Sequence, residues 1–333
     1  MSPLRCLNNP NSDFEDVFAG TGKDAANRPA WVDYTIPWGG DRGVYAGAYD
    51  SPASSDVMQY ITILTTGDAT DFGDQSETRN QMAGMSNGSR GVFAGGYPPL
   101  ANVMDYITIA STGDATDFGD MHTGAYSAGG LSNTTRGIMG GGRNDSHNGI
   151  NNIQYITIAS TGAATDFGDL TYSAFNTMGV NNETRGIIAG GYETLSGGKV
   201  DINYFTIATP AAAQDFGDLN TPRARNGSIS GGTGRGVFAG APIYGSPTPQ
   251  EEIEYITIAT TGNGTAAGDM LSRRTGMGSA CNGIYGVFGG GGGSGSEVNT
   301  IEYMNVLSTG DTTDFGDLIA DATYVAGCSG APS

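Results

Sequence analysis

Fifteen basic and 34 acidic side chains, two histidines and three cysteines are the means this 333-residue chain has of doing chemistry. The triplet Asp-Phe-Gly begins at Asp71, Asp117, Asp166, Asp215 and Asp314. In a kinase it carries a metal-binding aspartate, but only alongside a glycine-rich loop, a lysine strand and a catalytic loop, none of which is present. Five copies therefore read as a turn motif. The aspartates of Gly67-Asp-Ala-Thr-Asp-Phe-Gly-Asp74 fall at Asp68, Asp71 and Asp74, a spacing that does not match the alternating ligands of an EF-hand. Turn stabilisation is the role expected of them. His122 and His147 are too few for a histidine-rich metal site, and no Ser-His-Asp or paired-cysteine constellation emerges. Cys6, Cys281 and Cys328 are widely spaced and odd in number, so free thiols are expected rather than a disulfide framework. The chain is expected to be no enzyme and to hold neither metal nor cofactor.

The elements that position these residues are repeated. Tyr60-Ile-Thr-Ile recurs at Tyr106, Tyr155, Tyr204 and Tyr255 and, more weakly, at Tyr303, in steps of 46, 49, 49, 51 and 48 residues. Arg-Gly recurs at Arg42, Arg90, Arg136, Arg185 and Arg235, with Tyr285-Gly286 in sixth place. Six units follow, and a period of this length is the mark of a repeat architecture. In the unit at Arg90, alternation and punctuation predict strands at Gly91–Gly96, Val103–Ile109, Thr116–Asp120 and Ser127–Ser132. Four short strands with both faces apolar are what a propeller blade needs, since each blade is packed between two others. The arginines, fixed in the repeat, are expected to bridge to a neighbouring blade's Asp or backbone carbonyl. The Asn-x-Ser/Thr triplets at Asn87 and Asn133 are read as Asn-rich turns.

Gly95-Gly96 closing a strand, Tyr106 downstream and Phe118 in a later strand resemble the kelch repeat, with Phe in place of the usual Trp. The resemblance covers roughly residues 42 to 330 and implies an all-β, six-bladed kelch-like β-propeller. Closure is also legible. Tyr324-Val-Ala-Gly-Cys-Ser-Gly330 is written like Gln81-Met-Ala-Gly-Met-Ser-Asn87 but has no Gly-rich partner after it, whereas Gly43-Val-Tyr-Ala-Gly47 has no such strand before it. The C-terminal strand is therefore expected to complete the first blade and leave no open sheet edge at the seam.

From each Tyr marker to the next Arg-Gly position the spacing is 30, 30, 30, 31 and 30 residues. From the end of the Gly-rich strand to the next Tyr it is 12, 10, 13, 13, 14 and 12. All length variation sits in one class of loop, and equivalent propeller loops emerge on one face. Such loops serve recognition or drift neutrally, and both readings are open. If a ligand is recognised, the expected contacts are Tyr49, Tyr97, Arg143, His147, Tyr192 and Tyr244: aromatic rings that stack on sugars or bury apolar area, and a cation that pairs with an acid.

The formal charge of −19 and only two lysines argue against a nucleic-acid surface. No apolar run long enough to span a membrane is present, so no membrane insertion is expected. Residues 1–41 lie outside the repeats and form an N-terminal extension to the propeller of residues 42–333. Phe14, Phe18, Trp31 and Trp38 give this extension apolar anchors but too little for a core of its own. It either covers the propeller or docks on another molecule. The wording of the repeat, Tyr106–Asp120 with Thr135-Arg-Gly-Ile-Met-Gly-Gly141, resembles kelch-like repeats of structural proteins of tailed bacteriophages, particularly marine and cyanobacterial ones. That resemblance implies a virion component exposed on the particle, a tail fibre, adhesin or decoration protein. Its expected partners are other virion proteins through the arm and a host-surface glycan or receptor, with self-association left open. A carbohydrate-binding module, or an enzyme acting on host polysaccharide, are the alternatives.

Overall fold

In the computed structural model, the described residues are 39–50, 53–194, 196–224, 227–232, 234–240, 251–293 and 296–330. They form a six-bladed β-propeller of antiparallel sheets. Phe14, Phe18, Trp31, Trp38 and Tyr244 lie outside them.

Blade 2 gives the pattern. From axis to rim its strands are Ala83–Ser86, Arg90–Ala94, Val103–Thr108 and Thr116–Asp120. The innermost strand comes from the end of the preceding sequence unit. Ser127–Ser132, the predicted fourth strand of the Arg90 unit, accordingly contributes Gly129–Ser132 to blade 3, paired with Arg136–Gly140. Sequence unit and blade are thus offset by one strand, so each unit ties two blades together. At the seam the same rule makes Ala326–Gly330 the innermost strand of blade 1, pairing Val44 with Cys328 and Arg42 with Gly330. The expected closure is observed.

Asp-Phe-Gly is a β-bulge. In blade 2 Asp105 faces Asp117 and Met104 faces Gly119, which leaves Phe118 as the extra, unpaired residue. The bulge turns Phe118 into the gap between blades, where it is 2% exposed and packs in one cluster with Ile156 and Ile158 of blade 3. Tyr106 meets its edge at 6.1 Å. Gly119 must be glycine because its φ is 131° and a Cβ there would lie 2.6 Å from the Gly162 carbonyl oxygen of the next blade.

Two further joints repeat around the circle. The Arg of Arg-Gly lies over its own blade's Tyr and donates to a carbonyl of the next blade. Arg90 stands 4.3 Å from the Tyr106 ring centre and bonds Ile158 O at 3.0 Å. Arg136 does the same with Tyr155 and Ile207 O, and Arg185 with Tyr204 and Ile258 O. The expected bridge is to the carbonyl. In blade 6 Tyr285 occupies the place, and that seam instead carries a bond from Asn282 Nδ2 to Asp41 Oδ1 at 2.8 Å. The aspartates after Thr-Gly cap the preceding blade: Asp114 accepts from Asp74 N, Asp311 from Asp269 N and Asp68 from Asp317 N. Asn87, Asn133, Asn182 and Asn282 each accept the backbone N–H three residues on, the Asn turn predicted for the first two.

Candidate functional site on the loop face

The hairpins after the Gly-Gly positions and the connections that enter each innermost strand share one end of the propeller, here called the loop face. The strand register requires this, because Asp74 and Asp120 leave the outer strands beside Val57 and Val103, where those hairpins end.

The connections carry a buried polar joint that the markers did not reveal. The residue before each Tyr marker, Gln59, Asp105, Gln154, Asn203, Glu254 or Glu302, is buried and accepts a backbone N–H two residues beyond the Asp-Phe-Gly-Asp segment, or its fifth-copy equivalent, of the preceding blade. Where this residue is acidic, the connection supplies an arginine. Arg79 pairs with Asp105 at 2.6 Å, Arg274 with Glu302 at 2.7 Å, and Arg223 with Glu254, all six side chains being at most 1% exposed. Where it is an amide, the equivalent positions are Ala322, Ala125 and Ala174. Each charged joint is therefore neutralised locally, as burial demands. The arginines also donate to two carbonyls of the blade, Gly95 and Val103 for Arg79. In blade 4, which has no such arginine, the Tyr172 hydroxyl stands in its place, its single O–H shared between Gly190 O and Asp201 O. Burial pushes the Arg274 guanidinium below its ordinary value, opposed by Glu302, and raises the Tyr172 phenol.

Tyr49, Tyr97, Arg143 and Tyr192 occupy one equivalent position, directly after the Gly-rich strand. Their backbones are pinned to the preceding blade's connection, opposite Thr323, Asn80, Tyr126 and Phe175 respectively. Arg143 N donates to Tyr126 O at 2.8 Å, and Arg143 O accepts from Tyr126 N at 3.2 Å. These residues stand at the anchored base of the variable loops, not at their tips.

The structure brings most of them together. Tyr97 stacks on Tyr126 with ring centres 5.1 Å apart, and His147 closes on both, its Nδ1 2.7 Å from the Tyr126 hydroxyl. Arg143 lies 3.6 Å over the Phe175 ring, whose other neighbour is Tyr192 at 5.4 Å. Tyr126 and Phe175 are buried, while Tyr97, Arg143 and Tyr192 are half-buried and His147 exposed. An outer layer of predicted residues thus rests on two aromatics that the sequence reading missed. Their signal was present, since Tyr126 and Phe175 are aromatic where other units have Asn80, Thr275 and Thr323. Tyr49, on blade 1, stands apart from this band.

No family model and no curated protein matches the chain.

The residue after each of Asn80, Tyr126, Phe175, Thr275 and Thr323 lines the mouth of a narrow axial cavity of about 190 Å³. Gln81, Ser127, Asn176 and Tyr324 hold φ between 56° and 60° there. Backbone bonds run around the mouth from Ser127 N to Gln81 O, from Asn176 N to Ser127 O and from Gln81 N to Tyr324 O. Below, the inner strands touch backbone to backbone: a Cβ on Gly84 would lie 2.2 Å from the Gly327 oxygen. Ser86, Ser132, Asn181, Ser230, Cys281 and Ser329 line the far end. Burial pushes the Cys281 and Cys328 thiols up to about 12, which removes them as nucleophiles at neutral pH.

Proposed function

We propose that the chain is a non-enzymatic structural protein of a tailed-bacteriophage particle that displays its propeller for attachment to the host surface. The fold fits a binding or structural module, and a closed ring with only short, protected sheet edges suits a part exposed on a particle. The observation that carries recognition is the distribution of difference. The inter-blade joints repeat around the circle, whereas the loop face of blades 2 to 4 carries the band Tyr97, Tyr126, His147, Arg143, Phe175 and Tyr192. Aromatic faces with a cation and hydroxyls beside them suit a surface glycan. Residues 1–41 are the proposed docking arm toward other virion proteins.

Two measurements test this. Particles lacking the protein should take up the full chain but not residues 42–333 alone; undiminished incorporation of the truncated chain removes the docking role. In adsorption assays, Tyr97→Ala should reduce host binding while Tyr106→Ala should chiefly lower the melting temperature, because Tyr106 sits between Arg90 and Phe118 in an inter-blade joint. Host binding that survives Tyr97→Ala while a change on the opposite face abolishes it would place recognition elsewhere. A glycan array with the full chain separates this reading from a purely architectural part, which would bind no glycan.

A further inference from the structure

The arginines of the described residues sort almost completely into structural duties. Arg42, Arg90, Arg136, Arg185 and Arg235 reach carbonyls of the next blade. Arg79, Arg223 and Arg274 neutralise buried carboxylates. Arg143 and Arg273 remain, their guanidinium groups with neither a carboxylate nor a hydrogen-bond acceptor among the described residues. In a chain of net charge −19, a cation left unpaired is the exception.

Arg143 is also held in place. Its guanidinium lies on the buried face of Phe175, its backbone is bonded to Tyr126 on one side and bridged to Gly149 on the other, and its Nε is buried without a partner. Asp145, two residues along the same loop, forms no ion pair with it, because the loop folds on itself instead: Asn144 Oδ1 accepts Ser146 N and Asn148 N, and His147 N donates to Asn144 O. This turn holds His147 at φ 57°, a strained conformation for a residue with a Cβ, and sets its ring against Tyr97 and Tyr126. A guanidinium stacked on an aromatic keeps its in-plane N–H groups free to grip an acid in two-pronged fashion. Beside it, the half-buried rings of Tyr192 and Tyr97 provide faces for a pyranose, and His147 provides a hydrogen-bonding edge.

We infer that the shelf of Arg143, Phe175 and Tyr192, flanked by His147 and Tyr97, binds an anionic sugar residue whose acid group pairs with the Arg143 guanidinium. The inference rests on the glycan-recognition reading above and specifies its ligand. A carboxylated and a sulfated sugar present the same chemistry to the arginine, and the test distinguishes them.

The experiment is calorimetric titration of the full chain with tetragalacturonate, with its methyl ester and with a sulfated galactan tetrasaccharide. At least one acidic probe should bind at least tenfold more tightly than the ester, and the preference should shrink as salt is added. Arg143→Ala should lose that preference, Arg143→Lys should keep part of it, and Arg273→Ala, the other unpaired cation, should leave it intact. Melting curves of each variant identify a fold defect, and Arg143→Lys carries the test if Arg143→Ala fails to fold. Equal binding of ester and acids, or acid binding indifferent to both Arg143 substitutions, overturns the inference and leaves glycan recognition standing. Failure to bind these probes or any glycan on a host-envelope array overturns both.

Discussion

At the scale of single residues, the loop-face joint shows how burial dictates charge. A carboxylate taken out of water must meet a cation or be replaced by a neutral group, and the six blades use both solutions at one position. Arg79→Ala leaves Asp105 buried and unpaired, so it should destabilise the chain by about 3–5 kcal/mol in urea unfolding. Adding Asp105→Gln rebuilds the neutral joint of blade 3, where Gln154 faces Ala125, and should recover at least half of the loss. A double variant as unstable as Arg79→Ala would mean that the lost bonds to Gly95 O and Val103 O, not the charge, decide the cost. The thiols give a second test. Because burial pushes Cys281 and Cys328 up to about 12, a Cys6→Ser chain should react negligibly with a thiol reagent at pH 8, and should release two equivalents only on unfolding. Rapid native reaction would place one of them in contact with solvent.

At the scale of elements, the repeat is a set of joints more than a set of strands. The bulge at Asp-Phe-Gly, the arginine over tyrosine and the capping aspartate each bond or pack a blade against its neighbour. Gly113 and Gly119 make the point by contrast. Both have φ well into the positive region, 151° and 131°, so an added Cβ strains either. Only Gly119 is also blocked, by the Gly162 oxygen at 2.6 Å, whereas space beside Gly113 is open. Gly119→Ala should therefore lower the melting temperature distinctly more than Gly113→Ala. Equal effects would mean that backbone strain alone, not the approach of the next blade, fixes glycine there. Phe118→Ala empties an inter-blade gap and should cost about 3–5 kcal/mol. Blade 5 tolerates Ala267 in the same place, where its cluster contains Met270, Met277 and Met304.

At the scale of the whole molecule, stability depends on closing the circle. Ala326–Gly330 bonds to Arg42–Ala46 across almost the whole length of the chain, and Gly327 sits between Gly84 and Ser279 of the two neighbouring inner strands. Removing residues 326–333 would leave blade 1 without its innermost strand and expose the backbone edge of Arg42–Ala46 near the axis. That truncated chain should aggregate or melt without cooperativity, while a circular permutant joining the ends and opened in the loop at Asn144–Asn148 should melt cooperatively. A well-behaved truncated monomer would show that closure contributes little.

The sequence by itself determined the six units, their four strands, the closure at the ends and the class of loop that varies, because each follows from spacing and residue type along the chain. Tyr97, Arg143, His147 and Tyr192 were legible as loop residues for the same reason. What only the tertiary structure decided is who meets whom. The one-strand offset between unit and blade, the pairing of Arg79 with Asp105 and the stacking of Arg143 on Phe175 all join residues of adjacent blades, 26 to 32 positions apart in the latter two cases. A linear pattern records each partner's type but not their contact. The alternation of arginine with acid and alanine with amide was written in the repeats all along, yet it acquires meaning only when the propeller brings the two positions into one dry joint.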